Sequence, residues 1–473
     1  MSKQRLDKLA ELEPEKAWQS ADAEDWNLKW AAHLYRRGAF GAPPMEAKLP
    51  AWDALQAAVK QGREHCVEEL LRGAEGSDTF NELLDPLGSQ IAGSANARFG
   101  GPQVAKLIGW WLYRMLHTPH PLLERLTLFW HGHFATSLDK VAQPELMFEQ
   151  NVTLRRHALG KFGPLVQAIS RDPAMLVWLD SNRNIKGKPN ENFARELMEL
   201  FTLGVGNYKE TDVREVARAF TGWGTNSGEF VVSADLHDDV PKTVLGRTGN
   251  FDGADVLRIL LEQPAAPRLI AGKLYRQFVS ETMPPGRLLD PLAAELRKMD
   301  FDIAAALRMI FHSRLFNSQH AYRQCIKSPV EYVVSLVRAF DGQPPMEQLA
   351  GAMEGLGQML FQPPNVKGWD GGTAWLNSAT LLARHNLAWK LLGASANDYK
   401  IDPHAWTGQH GGKGTEKQRS ALLALLLQED ISAETRKRVQ TADTELAQKY
   451  DQAPERLRRL AHVITTIPEY QLA

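Results

Sequence analysis

The sequence predicts a mainly α-helical fold: one large multi-helix domain with a single small β-hairpin near residues 229–246. Three observations predict it. Apolar side chains recur at three- and four-residue spacing through most of the 473 residues, which is the period of one helix face. Ser, Thr, Asn, Pro and Gly stand where helices should start and stop. Only EFVVSADLHDDVPKTVLG at 229–246 carries a convincing β pattern. A hydrophobic share of 44% against 23% charged residues suits a globular chain with a large core. The 13 tryptophans are many for this length and fit either a rich core or an aromatic-lined cleft.

Each element has its own reason. Residues 1–20 are charged and helix-prone, and 26–38 (WNLKWAAHLYRRG) form a helix closed by Gly38. The loop FGAPPMEAKLP leads into a helix over about 51–72. Residues 102–116 make a strongly apolar helix, broken by HTPHP at 117–121. Pro121 opens the next helix, 121–134, on which Leu122, Leu126, Phe129, Trp130 and His133 form one stripe. A helix over 161–179 is interrupted near Asp172-Pro173. Asn190 caps a helix from 191 to 203 that Gly204 ends. Thr211 caps the following one, with Val213, Val216, Ala217 and Phe220 on a shared face. Ser328-Pro329-Val330-Glu331 combines a serine cap, a first-turn proline and a glutamate at the third position. The irregular stretch 361–378, FQPPNVKGWDGGTAWLNS, is long for a loop inside a compact protein, and its tryptophans argue against disorder. Residues 386–473 are charged and helical with a Gly-rich break at 408–414. No repeat or composition shift divides the chain. It reads as one domain, 1–473, with an N-terminal helical part (1–100), a core carrying the motif blocks (101–385) and a C-terminal helical part (386–473).

Charge and cysteine usage exclude several classes. A net charge of −1 and a pI near 6.9 leave no field to hold nucleic acid. Cys66 and Cys325 form neither a CxxC motif nor a disulfide framework. The N-terminus shows no apolar signal-peptide region, and no run of 18 apolar residues suggests a membrane span. A cytoplasmic location without membrane contact is the expectation, with export alongside a partner left open. No dinucleotide-binding glycine motif, P-loop, nucleophile elbow, HExxH or haem-attachment motif occurs.

Several blocks point to one family. They are AAHLYRRGAFG at 31–41, LTLFWHGHFATS at 126–137 and RRHALGKFGPLVQAISRDPAMLVWLDS at 155–181. The strongest is PNENFARELMELFTLGVGNYKETDVREVARAFTGW at 189–223. HDDVPKTVLGRTGNFDG at 237–253, SPVEYVVSLVRAF at 328–340, LGQMLFQPPNVKGWDGGTAWLNSATLLAR at 356–384 and the ending IPEYQLA complete the set. Over nearly its whole length the chain resembles the DUF1800 family. The resemblance implies a mainly helical fold, a bacterial source and a partner from the DUF1501 family. It implies no activity, because the family has none that is accepted.

The chemistry therefore rests on the residues. His131 and His133 lie two apart, so on a helix they point about 200° from each other. Either can be a metal ligand or base, and Gly132 leaves a non-helical HxH open. The alternative is structural: a buried His133 and a surface His131. In the 189–223 block Glu196 and Glu199 sit at i and i+3, a spacing that can share a metal or a proton load. Pairing with an arginine such as Arg218 is the plainer role. His237 and Asp238 stand together in the hairpin region as a ligand pair or a turn. His157 lies beside Arg155 and Arg156, which would lower its pKa. Trp369, Asp370 and Trp375 suit a sugar-like ligand, or plug their loop onto the core. The leading expectation is a metal-dependent hydrolase or oxidoreductase. One divalent ion would be held among His131, His133, His237 and Asp238, with Glu196, Glu199 and His157 as the acid–base groups. Trp369, Asp370, Trp375 and Arg218 would hold a polar, carbohydrate-like substrate. The rival is a non-catalytic binding or assembly protein working with the DUF1501-family partner.

Overall fold

Helix α1, Leu28–Gly38, begins where Asn27 turns its side-chain oxygen onto the amides of Lys29 and Trp30. It belongs to a computed structural model that describes residues 8–43, 49–74, 79–94, 102–393, 401–428 and 430–473. Parts of the predicted N-terminal helical segment (1–7), of the Gly/Pro loop (44–48) and of the C-terminal part (394–400 and 429) lie outside the described residues. The segment expected as one helix over 51–72 is two, Ala51–Gln61 and Arg63–Leu71, because Gly62 takes φ 89° between them.

Helix α2, Pro102–His117, is followed by α3, Pro121–His133, with Pro121 in its first turn. Both histidines of the HGH triplet are inside α3, so Gly132 does not open it into a loop. Helix α4 is Pro144–His157. The predicted interruption near Asp172 is real. Helices Phe162–Ser170 and Pro173–Trp178 flank it, and Asp172 Oδ1 accepts from the Met175 amide at 2.9 Å.

Helix α5, Asn192–Glu196, is short because its continuation, Leu197–Thr202, winds as a π-helix. The helix starts one residue later than predicted, with Glu191 at the N-cap and no side-chain cap, while Asn190 Oδ1 accepts from the Asn192 amide at 3.0 Å just before it. Gly204, at φ 85°, ends the segment. Helix α6, Glu210–Ala219, starts one residue before Thr211, since Asp212 accepts from the Lys209 amide at 2.9 Å and closes the cap there.

The β region is two hairpins rather than one. Strands β1 (Trp223–Asn226) and β2 (Glu229–Val232) pair antiparallel, as do β3 (Lys242–Val244) and β4 (Arg247–Gly249). Each turns through two residues with positive φ, Ser227-Gly228 and Leu245-Gly246. That is the I′ geometry matching the twist of its strands. The predicted range 229–246 began in the second strand of one hairpin and ended in the turn of the other.

Helices α7 (Ala265–Phe278), α8 (Pro329–Ala339), α9 (Ser378–Leu391) and α10 (Ala453–Thr466) complete the frame used below. The serine cap of α8 forms as the sequence predicts: Ser328 Oγ accepts from the Glu331 amide, and Glu331 accepts from the Ser328 amide at 2.6 Å. Among the described residues no helix is long and apolar enough to cross a membrane.

Two apolar cores result. The first draws on residues between Leu9 and Ala321, with Trp130, Phe134, Phe162 and Phe201 near its middle. The second joins Phe40, Trp111, Tyr332, Phe361 and Leu460. Helix α3 feeds both, sending Leu122, Leu126 and Trp130 into the first while Leu128 packs on the second. A buried charge network ties α3 to its neighbours. Glu124 accepts from Arg155 Nε at 2.5 Å, Arg114 Nε at 3.0 Å and Trp111 Nε1 at 3.0 Å.

Candidate functional site

Where the two cores meet, a cleft of about 410 Å³ opens between α3, α7 and the start of α8, under the loop 361–378. That volume is in the range of small-molecule sites. The loop covers the cleft because two glycines allow close approach, one to backbone and one to a side chain. Gly368 (φ 80°) lies so close to α3 that a Cβ there would come within 2.2 Å of the Gly132 carbonyl oxygen. Gly372 lies against the Glu281 carboxylate. Thus anchored, Trp369, Asp370 and Trp375 line the cleft.

His133 lines the opposite wall. Its Nε2 lies 3.2 Å from the Phe201 carbonyl oxygen, which can only accept, so Nε2 carries the proton. Phe201 sits in the π-helical stretch, a distortion frequent at functional sites. The other ring nitrogen, Nδ1, is then a bare lone pair, buried and without a partner. Burial, with Lys273 nearby, holds the ring well below the usual histidine pKa, so it stays neutral.

Charge concentrates at the same place. Arg37 donates from Nε to the Phe278 carbonyl at 3.1 Å and turns Nη1 toward Glu331 at 3.7 Å. Arg125 forms an ion pair with the same Glu331. Burial acts to raise the Glu331 pKa, and the two guanidinium groups outweigh it and keep the carboxylate ionised. Glu281 accepts from the Ile326 amide at 2.6 Å, and burial raises its pKa. Lys273 reaches the cleft from α7, with its pKa lowered by burial and by Arg276. The chain's last residues brace this wall: Lys327 N donates to the Gln471 carbonyl and Ala473 N to the Cys325 carbonyl, each at 2.8 Å.

The other residues singled out in the sequence lie elsewhere or behind. His131, which the structural alternative puts at the surface, is buried behind the loop. Its ring is 5.5 Å from Trp111 and 5.6 Å from Trp369, and burial lowers its pKa to about 3. Glu196 is half-buried at the rim, near enough to the lining residue Lys367 to feel its charge. Burial and then Glu199 raise its pKa. Glu199 accepts from the Tyr208 hydroxyl at 3.1 Å. Neither glutamate pairs with Arg218, which instead binds Asp238 at 2.7 Å and Glu215 at 2.9 Å and fastens the segment before β3 to α6. His237 Nδ1 meets the Thr221 carbonyl at 2.9 Å. His157 is half-buried, and its pKa is lowered by burial and by Arg156. Arg155 is spent on Glu124 instead.

His131, His133, His237 and Asp238 therefore do not converge on one ion. Among the described residues the one trio with ligand atoms within 4.8 Å of each other is Glu64, Glu68 and His312. There Glu68 is already bound by Arg308 at 2.6 Å.

Arg37, Arg125, Lys273, Glu281 and Glu331 were not singled out as site residues. The signal available was a charge inside an apolar helix, as in PLLERLTLFW and LIAGKLYRQF. The family model described as Protein of unknown function (DUF1800) matches residues 33–472. No curated protein and no solved structure matches the chain.

Proposed function

The chain belongs to the DUF1800 family, and we propose that it binds a small anionic, hydroxyl-bearing molecule in the cleft beneath the 361–378 loop. One observation carries this reading: the cleft holds spare positive charge beside His133, whose buried Nδ1 has no partner. Five cationic side chains line it (Arg37, Arg125, Lys273, Arg276, Lys367) against three carboxylates (Glu281, Glu331, Asp370). Glu331 is already satisfied by two of the arginines. An anionic group would restore balance where low polarity strengthens the attraction. His133 Nδ1, neutral and unprotonated, accepts a hydrogen bond from a ligand hydroxyl. Trp369 and Trp375 offer apolar faces of the kind a sugar ring covers. The same field opposes a divalent cation, so the metal-dependent form of the sequence expectation is not carried forward.

The test is a thermal-shift and calorimetric series with glucuronate, glucose 6-phosphate, inorganic phosphate and neutral glucose. The anions are expected to raise the melting temperature and glucose to do much less. A ligand at a hundred times its Kd stabilises by about 2.7 kcal/mol. Lys367→Ala, at the exposed rim, should weaken the anions and leave the fold unchanged. An absence of any anion effect at millimolar concentration would overturn the proposal.

A further inference from the structure

Lys273 differs from the two arginines that pair with Glu331. It projects from the body of α7, more than a turn before the helix ends at Phe278, into the cavity. Arg37 and Arg125 are held by Glu331, whereas Lys273 has no carboxylate or carbonyl partner among the described residues. It is close enough to His133 for its charge to act on the imidazole. A carboxyl group, Glu281, lines the same cavity. An amine, an unprotonated ring nitrogen and a carboxyl group thus share one partly desolvated space with anion-attracting walls.

We propose that Lys273 forms an imine with a hydroxylated 2-oxo acid bound in this cleft, an inference that rests on the anionic-ligand reading above. The neutral Nζ attacks the carbonyl carbon and an N–C bond forms. The proton released by nitrogen ends on the former carbonyl oxygen, giving a carbinolamine. The C–O bond then breaks, Glu281 supplies the second proton, and water leaves as the C=N bond forms. No oxidant or reductant is consumed. Burial and Arg276 favour the neutral amine the first step needs. Burial also raises the Glu281 pKa, which favours the proton-carrying form that this step draws on. The substrate's carboxylate falls to the arginine and lysine walls, and its hydroxyls to His133 and the tryptophan faces.

Pyruvate, the simplest stable 2-oxo acid, is the probe. The whole protein is incubated with pyruvate and cyanoborohydride, and the reduced adduct is located by intact mass and peptide mapping. One adduct on Lys273 is expected, absent from Lys273→Arg. Acetone, a methyl ketone without the carboxylate, should label Lys273 at least about tenfold more slowly. Mapping of the unaltered protein keeps the test decisive even if the variant folds poorly. Adducts spread over surface lysines, with none favoured, would overturn the imine. If phosphate still raises the melting temperature in that case, the anion site stands without the imine; if it does not, both fail.

Discussion

Glu124 and Asp172 are both buried carboxyl groups, and their partners send them in opposite directions. Burial acts to raise the Glu124 pKa, but Arg155 and Arg114 outweigh it and bring it down to about 2. Asp172 is also raised by burial and meets only neutral donors, the Gln150 amide at 2.7 Å and the Met175 N–H at 2.9 Å. Its pKa rises to about 7. The linkage signs follow. The stabilisation from Glu124 is present above its unfolded value of 4.5 and is lost as pH falls toward about 2. That from Asp172 is present below 3.8 and is lost as pH rises through about 7. Asp172→Asn should therefore flatten the decline in stability across this window, read from urea midpoints at several pH values. Glu124→Gln should cost about 3–5 kcal/mol, since it leaves buried guanidinium groups uncompensated. The sequence showed Asp172 as a helix break because the Asp-Pro pair is local. It could not show Arg155 turned onto Glu124, because that pairing joins α4 to α3 across 31 positions.

At the scale of elements, the loop 361–378 and the HGH end of α3 form one unit, and two glycines within it should respond differently. Gly132 is helical, and a Cβ there would meet Trp369 at an ordinary 3.8 Å. Gly132→Ala should be tolerated or stabilise by up to about 1 kcal/mol. Gly368→Ala must both accept φ 80° and move the Gly132 carbonyl. It should lift the loop and abolish anion binding while the far-UV circular dichroism stays helical. Deleting residues 471–473 removes the hydrogen bonds that brace Cys325 and Lys327, and should weaken the cleft before it unfolds the helices. The loop was legible because its length and tryptophans are sequence-local, and so was the α8 cap. The same Glu331 that closes that cap also holds Arg37 and Arg125. That second role depends on α1 and α3 arriving at α8, so spacing along the chain carries no sign of it.

At the scale of the whole molecule, the cleft is a seam between two cores. His133, Phe129 and Lys273 come from the side of the first, and Ser328, Glu331, Gln358 and Trp369 from the side of the second. A ligand gripping both sides should raise the unfolding temperature of both cores together, and calorimetry with phosphate would show whether the transitions move as one. The mainly helical class was legible because helix periodicity is repeated so often along the chain. The seam was not, because the second core takes residues from Phe40 to Tyr470 and interleaves with the first. The two cysteines happen to report on these places separately. Cys66 is sealed inside the first core and Cys325 lies in the cleft wall, and burial pushes both thiols up to about 11. Neither reacts readily while covered, so each reacts with a disulfide reagent only as often as its surroundings open. Read as a pair of clocks, Cys325 times the breathing of the cleft and Cys66 the unfolding of the first core.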